Sequence, residues 1–284
     1  MLQDIMCSLD ILNDKPRSSK PASLAEYDQG AYNSHLYFCE SFMVTPDSLQ
    51  CHHNNKVSCS NCRLSTLCLP ISLELDELNQ INQAILRNQP LQKGDYLYRA
   101  GERFSAIYAV RSGCVKSLHI TEEGEEQITG FYLPGEICGM DGINDNIHTN
   151  SVIALETSAI CEIPFTQMES LSHQIPSLQR HFFQLMSREI TKDQALITLL
   201  SKGSAEQRIA SLLLSLSSRH QRRQLSATEF ILPMSRTDIG NYLGLTIETV
   251  SRVFSRLQRD GLLTADRRLV SLHNIDQLRA VVTG

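Results

Sequence analysis

Three cysteines, Cys59, Cys62 and Cys68, stand in the pattern C-x2-C-x5-C. Thiolates are soft ligands, and several close together suit zinc or an iron–sulfur cluster. The two residues between Cys59 and Cys62 allow a tight turn that aims both sulfurs at one centre. The longer step to Cys68 lets the chain loop around a bulky core. Zinc ribbons repeat C-x2-C further along, and no second C-x2-C occurs here. A fourth ligand must therefore come from afar, or from His52 or His53. Cys7, Cys39 and Cys51 lack ligand-like spacing.

A second chemistry lies near the C-terminus. From Ala205 onward the chain carries 11 Arg against 7 Asp and Glu, whereas the whole chain has a net charge of −5. A basic module on an acidic body suits a nucleic-acid partner. Within it, Ser235 to Leu243 reads as a short helix, Gly244-Leu245-Thr246 as a turn, and Ile247 to Arg259 as a second helix with Thr246 as N-cap. Ile247, Val250, Phe254 and Leu257 form the expected inward face. Glu248, Ser251, Arg252 and Ser255 lie opposite, a polar reading edge of a helix-turn-helix. Arg252 is suited to guanine and Glu248 to cytosine, with Ser251 touching a neighbouring base edge. Arg256 and Arg259, further along, are expected on phosphates. Leu262 to Leu272, turning at Asp266-Arg267, reads as a β-wing.

The elements that must position these groups follow from patterning. Residues 1–50 mix Ser, Asn, Asp, Lys and Pro without sustained periodicity and read as a weakly ordered arm. After the cysteines, Glu74 to Leu86 reads as an amphipathic helix with Leu75, Leu78, Ile81 and Ile85 on one face. From Leu91 to Ile163, short alternating runs separated by Gly-containing turns predict a β-sandwich or roll, with Ala106–Val110 and Val115–Ile120 among its strands. A long helix is predicted from Ser177 to Leu200. Phe183, Met186, Ile190, Asp193, Ile197 and Leu200 recur on it at steps of 3 and 4, the seam of a coiled coil. A seam of this length predicts a homodimer. Asp193 would then face its own copy, so dimerisation is weakened at one point and becomes conditional. The fold class is thus α+β. A sensor and roll domain (51–176) is followed by a dimerisation helix (177–203) and a winged helix-turn-helix (204–284). The chain lacks a basic-then-apolar leader and any apolar run of membrane-spanning length, so a cytoplasmic protein with no membrane partner is expected. In that compartment nine cysteines favour metal over disulfides.

Roll, long helix and winged helix-turn-helix in this order resemble the CRP–FNR family of bacterial transcription regulators, on its FNR side. The residues that carry the resemblance are Cys59, Cys62 and Cys68, Gln127 to Phe131, Leu155 to Ser158, Cys161-Glu162-Ile163-Pro164-Phe165, and Asp238 to Thr246. The resemblance implies a cyclic-nucleotide-binding-like jelly roll. It implies that Cys161 is the distant fourth ligand, which spacing could not select over Cys114 or Cys138. It also implies a [4Fe-4S] cofactor, dimerisation while the cluster is intact, and loss of DNA binding when oxygen degrades it to [2Fe-2S]. By the same resemblance, half-sites are of the TTGAT type in an inverted-repeat operator. The resemblance further implies that RNA polymerase is met by the loop Ile120 to Glu125, including Ile120, Gly124 and Glu125. The sequence departs from the family at Arg63, where a small residue is usual after the second cysteine; a cation there should favour an anionic cluster.

Three other functions are compatible with a chain of this size and composition. A cyclic-nucleotide receptor needs a cation or a nest of amides for the buried phosphate, and no Lys or Arg occurs between Ser117 and Gln179, so no cyclic nucleotide is expected. An enzyme needs a catalytic constellation, and no P-loop, dinucleotide fingerprint or Ser-His-Asp set is found. A zinc-stabilised DNA-binding protein without sensing is the remaining alternative to an iron–sulfur regulator.

Overall fold

The computed structural model describes residues 58–69 and 73–283. The arm 1–50, Cys7, Cys39, Cys51, His52 and His53 lie outside the described residues. In chain order the elements are a 3-10 turn at Cys59–Asn61, α1 (Leu75–Ala84), β1 (Leu86–Arg87), β2 (Tyr96–Tyr98), β3 (Ala106–Ser112), β4 (Val115–Ile120), β5 (Glu126–Tyr132), β6 (Ile137–Cys138), β7 (Ser151–Ala154) and β8 (Ala159–Pro164). There follow α2 (Phe165–Gln174), α3 (Pro176–Lys202), α4 (Ala205–Arg222), β9 (Glu229–Ile231), α5 (Arg236–Leu243), α6 (Ile247–Arg259), β10 (Leu263–Asp266), β11 (Leu269–Leu272) and α7 (Ile275–Thr283).

Strands β1 to β8 form two four-stranded sheets, ordered β1-β8-β3-β6 and β2-β7-β4-β5, with antiparallel pairing throughout. Tyr98, Val115, Val152 and Ala154 of one sheet pack with Ala106, Tyr108, Val110, Cys138 and Ile160 of the other, so the alternating apolar positions close a jelly roll. A second core lies at one side of the roll. It gathers Cys59 and Leu69 of the cysteine loop, Ile81 of α1, Ile107 and Ile163 of the sheet, Met168 and Leu171 of α2, and Leu178 and Phe182 of α3. A third core fills the C-terminal module: Ile209, Leu213 and Leu216 of α4, Ile239 and Leu243 of α5, and Val250, Phe254 and Leu257 of α6.

Local chemistry explains the helix starts. Ser204 and Ser235 close capping boxes with Gln207 and Asp238, and Thr246 accepts from the Thr249 N–H. Between α5 and α6, Gly244 has φ +62°, a left-handed helix end that suits glycine. The wing pairs β10 with β11 as expected and gains a third strand, β9, on its other side.

Three expectations are corrected. The first helix ends at Ala84, because Ile85 is extended and Leu86 enters β1. Leu75, expected on the buried face of that helix, is exposed at its first position. Ile247, expected inward, is exposed at the first position of α6, and Val253 is buried instead. In both cases a residue in the first helical turn projects beyond the core that its periodicity would place it against.

Candidate metal centre and nucleic-acid interface

The cysteine loop is a run of tight turns. Cys62 N–H donates to Cys59 O, Ser65 N–H to Cys62 O, and Cys68 N–H to Leu64 O, at 3.3, 3.1 and 2.9 Å. The Cys59 N–H is held at 3.0 Å by the Asn82 side-chain oxygen of α1. The loop also rests on the β5–β6 turn. Gly135 there has φ +89°, and a β-carbon on it would stand 3.2 Å from Leu67 Cβ, so backbone and packing both call for glycine.

Cys161 reaches this loop through the sheet. In β8 it lies between Ala109 of β3 and Arg87 of β1. Its sulfur is close enough to those of Cys59, Cys62 and Cys68 for the thiols to disfavour one another's ionisation. Burial pushes the Cys68 thiol up to about 12, with Cys161, Cys59 and Cys62 adding to the rise; burial likewise raises Cys59 and Cys161. Two arginines oppose this. The Arg87 guanidinium donates to Cys59 Sγ at 3.6 Å and to Asn82 Oδ1 at 2.7 Å, and Arg87 and Arg111 both favour the Cys161 thiolate. Arg63, which the sequence suggested as the cation beside the thiolates, is exposed.

This donor set fits an iron–sulfur cluster. It comprises four soft sulfurs from two chain segments, semi-enclosed by apolar side chains, with two guanidiniums to offset negative charge. Cys114 and Cys138 are fully buried elsewhere. Cys138 in β6 faces the inter-sheet core, and Cys114 lies beside Arg219 and Glu156.

The same core links the loop to the long helix. Cys59 and Leu69 pack in one cluster with Leu178 and Phe182, against which Met186 and Leu185 also rest. Further along α3, Phe183, Ile190 and Ile197 are about 60, 57 and 64% exposed, an apolar stripe left open to solvent. Asp193 is exposed within that stripe, and Met186 and Leu200 are half-buried. At the end of α3, one guanidinium ties it to the helix-turn-helix: Arg208 donates to Leu200 O, Gly203 O and Leu243 O at 2.8, 3.0 and 2.9 Å.

On α6, Glu248, Ser251, Arg252, Ser255, Arg256 and Arg259 are all exposed along one face. The Glu248 carboxyl is held below the usual carboxylate range by its own N–H and the Thr246 hydroxyl, with Arg252 adding to this. Arg252 donates to Thr249 Oγ1 at 3.3 Å, which aims it along the helix. Arg256 is paired with Glu206 at 3.2 Å and lies 3.9 Å from Asp260, so a phosphate would have to compete with these carboxylates. Arg236 stacks over Phe254 with its guanidinium carbon 3.2 Å from the ring centroid. On the roll, Ile120 and Glu125 are exposed beside Gly124, whose φ of +82° makes the hairpin turn. Sequence reasoning missed Arg87, Arg111 and Arg208, because each acquires its partner only through sheet register or helix docking.

The profile of the Crp-like helix-turn-helix domain matches residues 207–281, and that of the cyclic nucleotide-binding domain matches residues 88–174. The transcriptional activator protein Anr of Pseudomonas protegens is 46% identical over 242 residues, 85% of this chain and 98% of that protein. The fumarate and nitrate reduction regulatory protein of Escherichia coli K12 is 46% identical over 222 residues, 78% of this chain and 89% of that protein. Among solved structures, FixK2 from Bradyrhizobium japonicum superposes with a TM-score of 0.62 at 29% identity, covering 69% of this chain and 97% of that one.

Proposed function

The chain belongs to the CRP–FNR family of transcription regulators, and on that premise we propose that it is an oxygen-responsive activator whose cofactor is a [4Fe-4S] cluster held by Cys59, Cys62, Cys68 and Cys161. That it is a DNA-binding regulator and not an enzyme follows from its relatives and its helix-turn-helix. What supports the sensing proposal is the register that sets Cys161 opposite Arg87, whose guanidinium reaches Cys59 Sγ of the loop, in a core shared with the first turns of α3. When bound, the cluster supplies an oxygen-labile group that holds the loop in one shape.

The chain's own residues transmit that shape. Leu69 and Cys59 share a core with Leu178 and Phe182, and close-packed cores pass displacement to their neighbours. The open seam of Phe183, Ile190 and Ile197 takes a second copy, against the repulsion of paired Asp193 carboxylates. Dimerisation sets two α6 helices into successive major grooves of an inverted repeat, roughly 34 Å apart. Arg252 reads the guanine of a TTGAT half-site, Glu248 and Ser251 read beside it, and Arg256 and Arg259 hold phosphates. The hairpin tip at Ile120, Gly124 and Glu125 meets RNA polymerase. No cyclic nucleotide takes part: the Glu136 carboxylate of the Pro-Gly-Glu turn is bound to Arg219, and no Lys or Arg occurs between Ser117 and Gln179.

The test is binding of the anaerobically purified protein to a TTGAT inverted repeat before and after exposure to air. The proposal expects tight binding without oxygen and loss of binding in air. Equal binding in both conditions would leave a regulator without oxygen sensing.

A further inference from the structure

Among the described residues, strand β5 lies at the edge of its sheet, with β4 as its one strand neighbour. Such an edge presents unpaired backbone groups that must be satisfied or covered. Here one side chain of the helix-turn-helix takes that place. Asn241 of α5 accepts the Ile128 N–H through Oδ1 at 2.5 Å and donates through Nδ2 to Glu126 O at 2.6 Å. Between these two contacts, Gln127 donates from its side chain to Asn241 O at 2.7 Å. The primary amide thus mimics the next strand of the sheet.

A second tie lies at the other end of β5. Arg219 of α4 is nearly buried and donates to Phe131 O at 2.7 Å, and it grips Glu136 with two hydrogen bonds. Apolar packing runs between the ties. Ile128 and Phe131 of the roll belong to the same core as Leu213 and Tyr242, and the Phe131 and Tyr242 rings meet edge-on at 5.0 Å. All of these contacts use α4 and α5. The reading face of α6 (Glu248, Ser251 and Arg252) stays exposed while the module is docked. Docking is therefore compatible with DNA binding and does not mask it.

We propose that Asn241 and Arg219 are positioning residues that clamp the helix-turn-helix to β5, so that DNA meets a reading helix already fixed in place. They act without touching DNA. Fixing a binding element beforehand removes the ordering cost from the binding step, so affinity falls when the clamp is cut. Base discrimination stays as it is, because the reading residues are untouched. The inference rests on DNA binding through α6.

The experiment uses the full-length protein, purified without oxygen, as wild type and as Asn241→Ala and Glu136→Gln. Three quantities are measured: affinity for the inverted repeat and for the same repeat with its G·C pair replaced, hydrogen exchange of the peptide spanning 126–132, and dimer mass with iron content. The expected result is a roughly five- to twentyfold loss of affinity on both repeats, in line with the loss of a pair of hydrogen bonds. It comes with faster exchange in β5 and unchanged dimer and iron. Faster exchange with unchanged affinity would overturn the proposal, and so would unchanged exchange. A gain in affinity would overturn it too, making the contact a restraint on binding. If Asn241→Ala loses the dimer or its iron, Glu136→Gln decides by the same outcomes. Wild type that binds neither repeat would refute DNA reading by α6, a failure visible before any variant is made.

Discussion

Asp193→Ala is expected to convert conditional dimerisation into constitutive dimerisation. Asp193 stands between Ile190 and Ile197 on the open stripe of α3. Its carboxyl is raised above the ordinary range, chiefly because its surroundings partly desolvate it, with Lys192 pulling the other way. In a parallel seam the two copies face one another. At a separation on the order of 6 Å, with an effective dielectric of about 20 to 40 for a partly solvated pair, the repulsion is about 1.4 to 2.8 kcal/mol. Its removal tightens the dimer by roughly ten- to a hundredfold. The assay is sedimentation equilibrium of cluster-free protein in air, repeated across acid pH. The facing copy's charge would raise this carboxyl further in the dimer than in the single chain, and an acid raised on assembly favours assembly when protonated. Wild-type association therefore strengthens as pH falls into the raised carboxylate range and weakens as pH rises through it. The alanine variant shows no such dependence on this group. A dimer constant within twofold of wild type, with the same pH profile, would refute the facing-carboxylate seam.

Two further outcomes follow from the nucleic-acid face and the hairpin. Arg252→Ala should cost about 1–3 kcal/mol per half-site and blur discrimination at the G·C pair, measured by binding to all four base pairs there. Arg259→Ala should instead weaken binding to every sequence and lower the slope of affinity against salt. Gly124→Ala places a side chain at φ +82° in a tip where a β-carbon meets nothing within 4 Å. The local strain of about 1–2 kcal/mol should reduce activated transcription in vitro while DNA affinity stays unchanged.

Much of the architecture was readable because it is written in local periodicity. The spacing of Val250, Phe254 and Leu257, with Thr246 before them, marked α6 with its observed ends, and the seam from Phe183 to Leu200 marked α3. The alternating runs around Tyr108 and Leu118 marked β3 and β4. What depends on distant pairing was not readable. Cys161 joins the loop only because β8 carries it alongside β1, and the same register sets Arg87 opposite it. Only the family resemblance pointed to that cysteine, and nothing pointed to the arginine. Arg219 and Asn241 likewise look like ordinary polar residues of amphipathic helices until α4 and α5 are seated on β5. Ile247 shows the converse limit: periodicity assigns a face but cannot say where the core ends.

On the proposed function, Cys59, Cys62, Cys68 and Cys161, and no other cysteines, hold an iron–sulfur cluster. The most direct measurement is iron and acid-labile sulfide per chain, with the visible spectrum, for protein purified without oxygen as wild type, Cys161→Ser and Cys138→Ser. About four irons and four sulfides are expected for wild type and for Cys138→Ser, as a [4Fe-4S] centre requires, and loss of both from Cys161→Ser. Full iron and sulfide in Cys161→Ser, or one zinc and no sulfide in wild type, would contradict it.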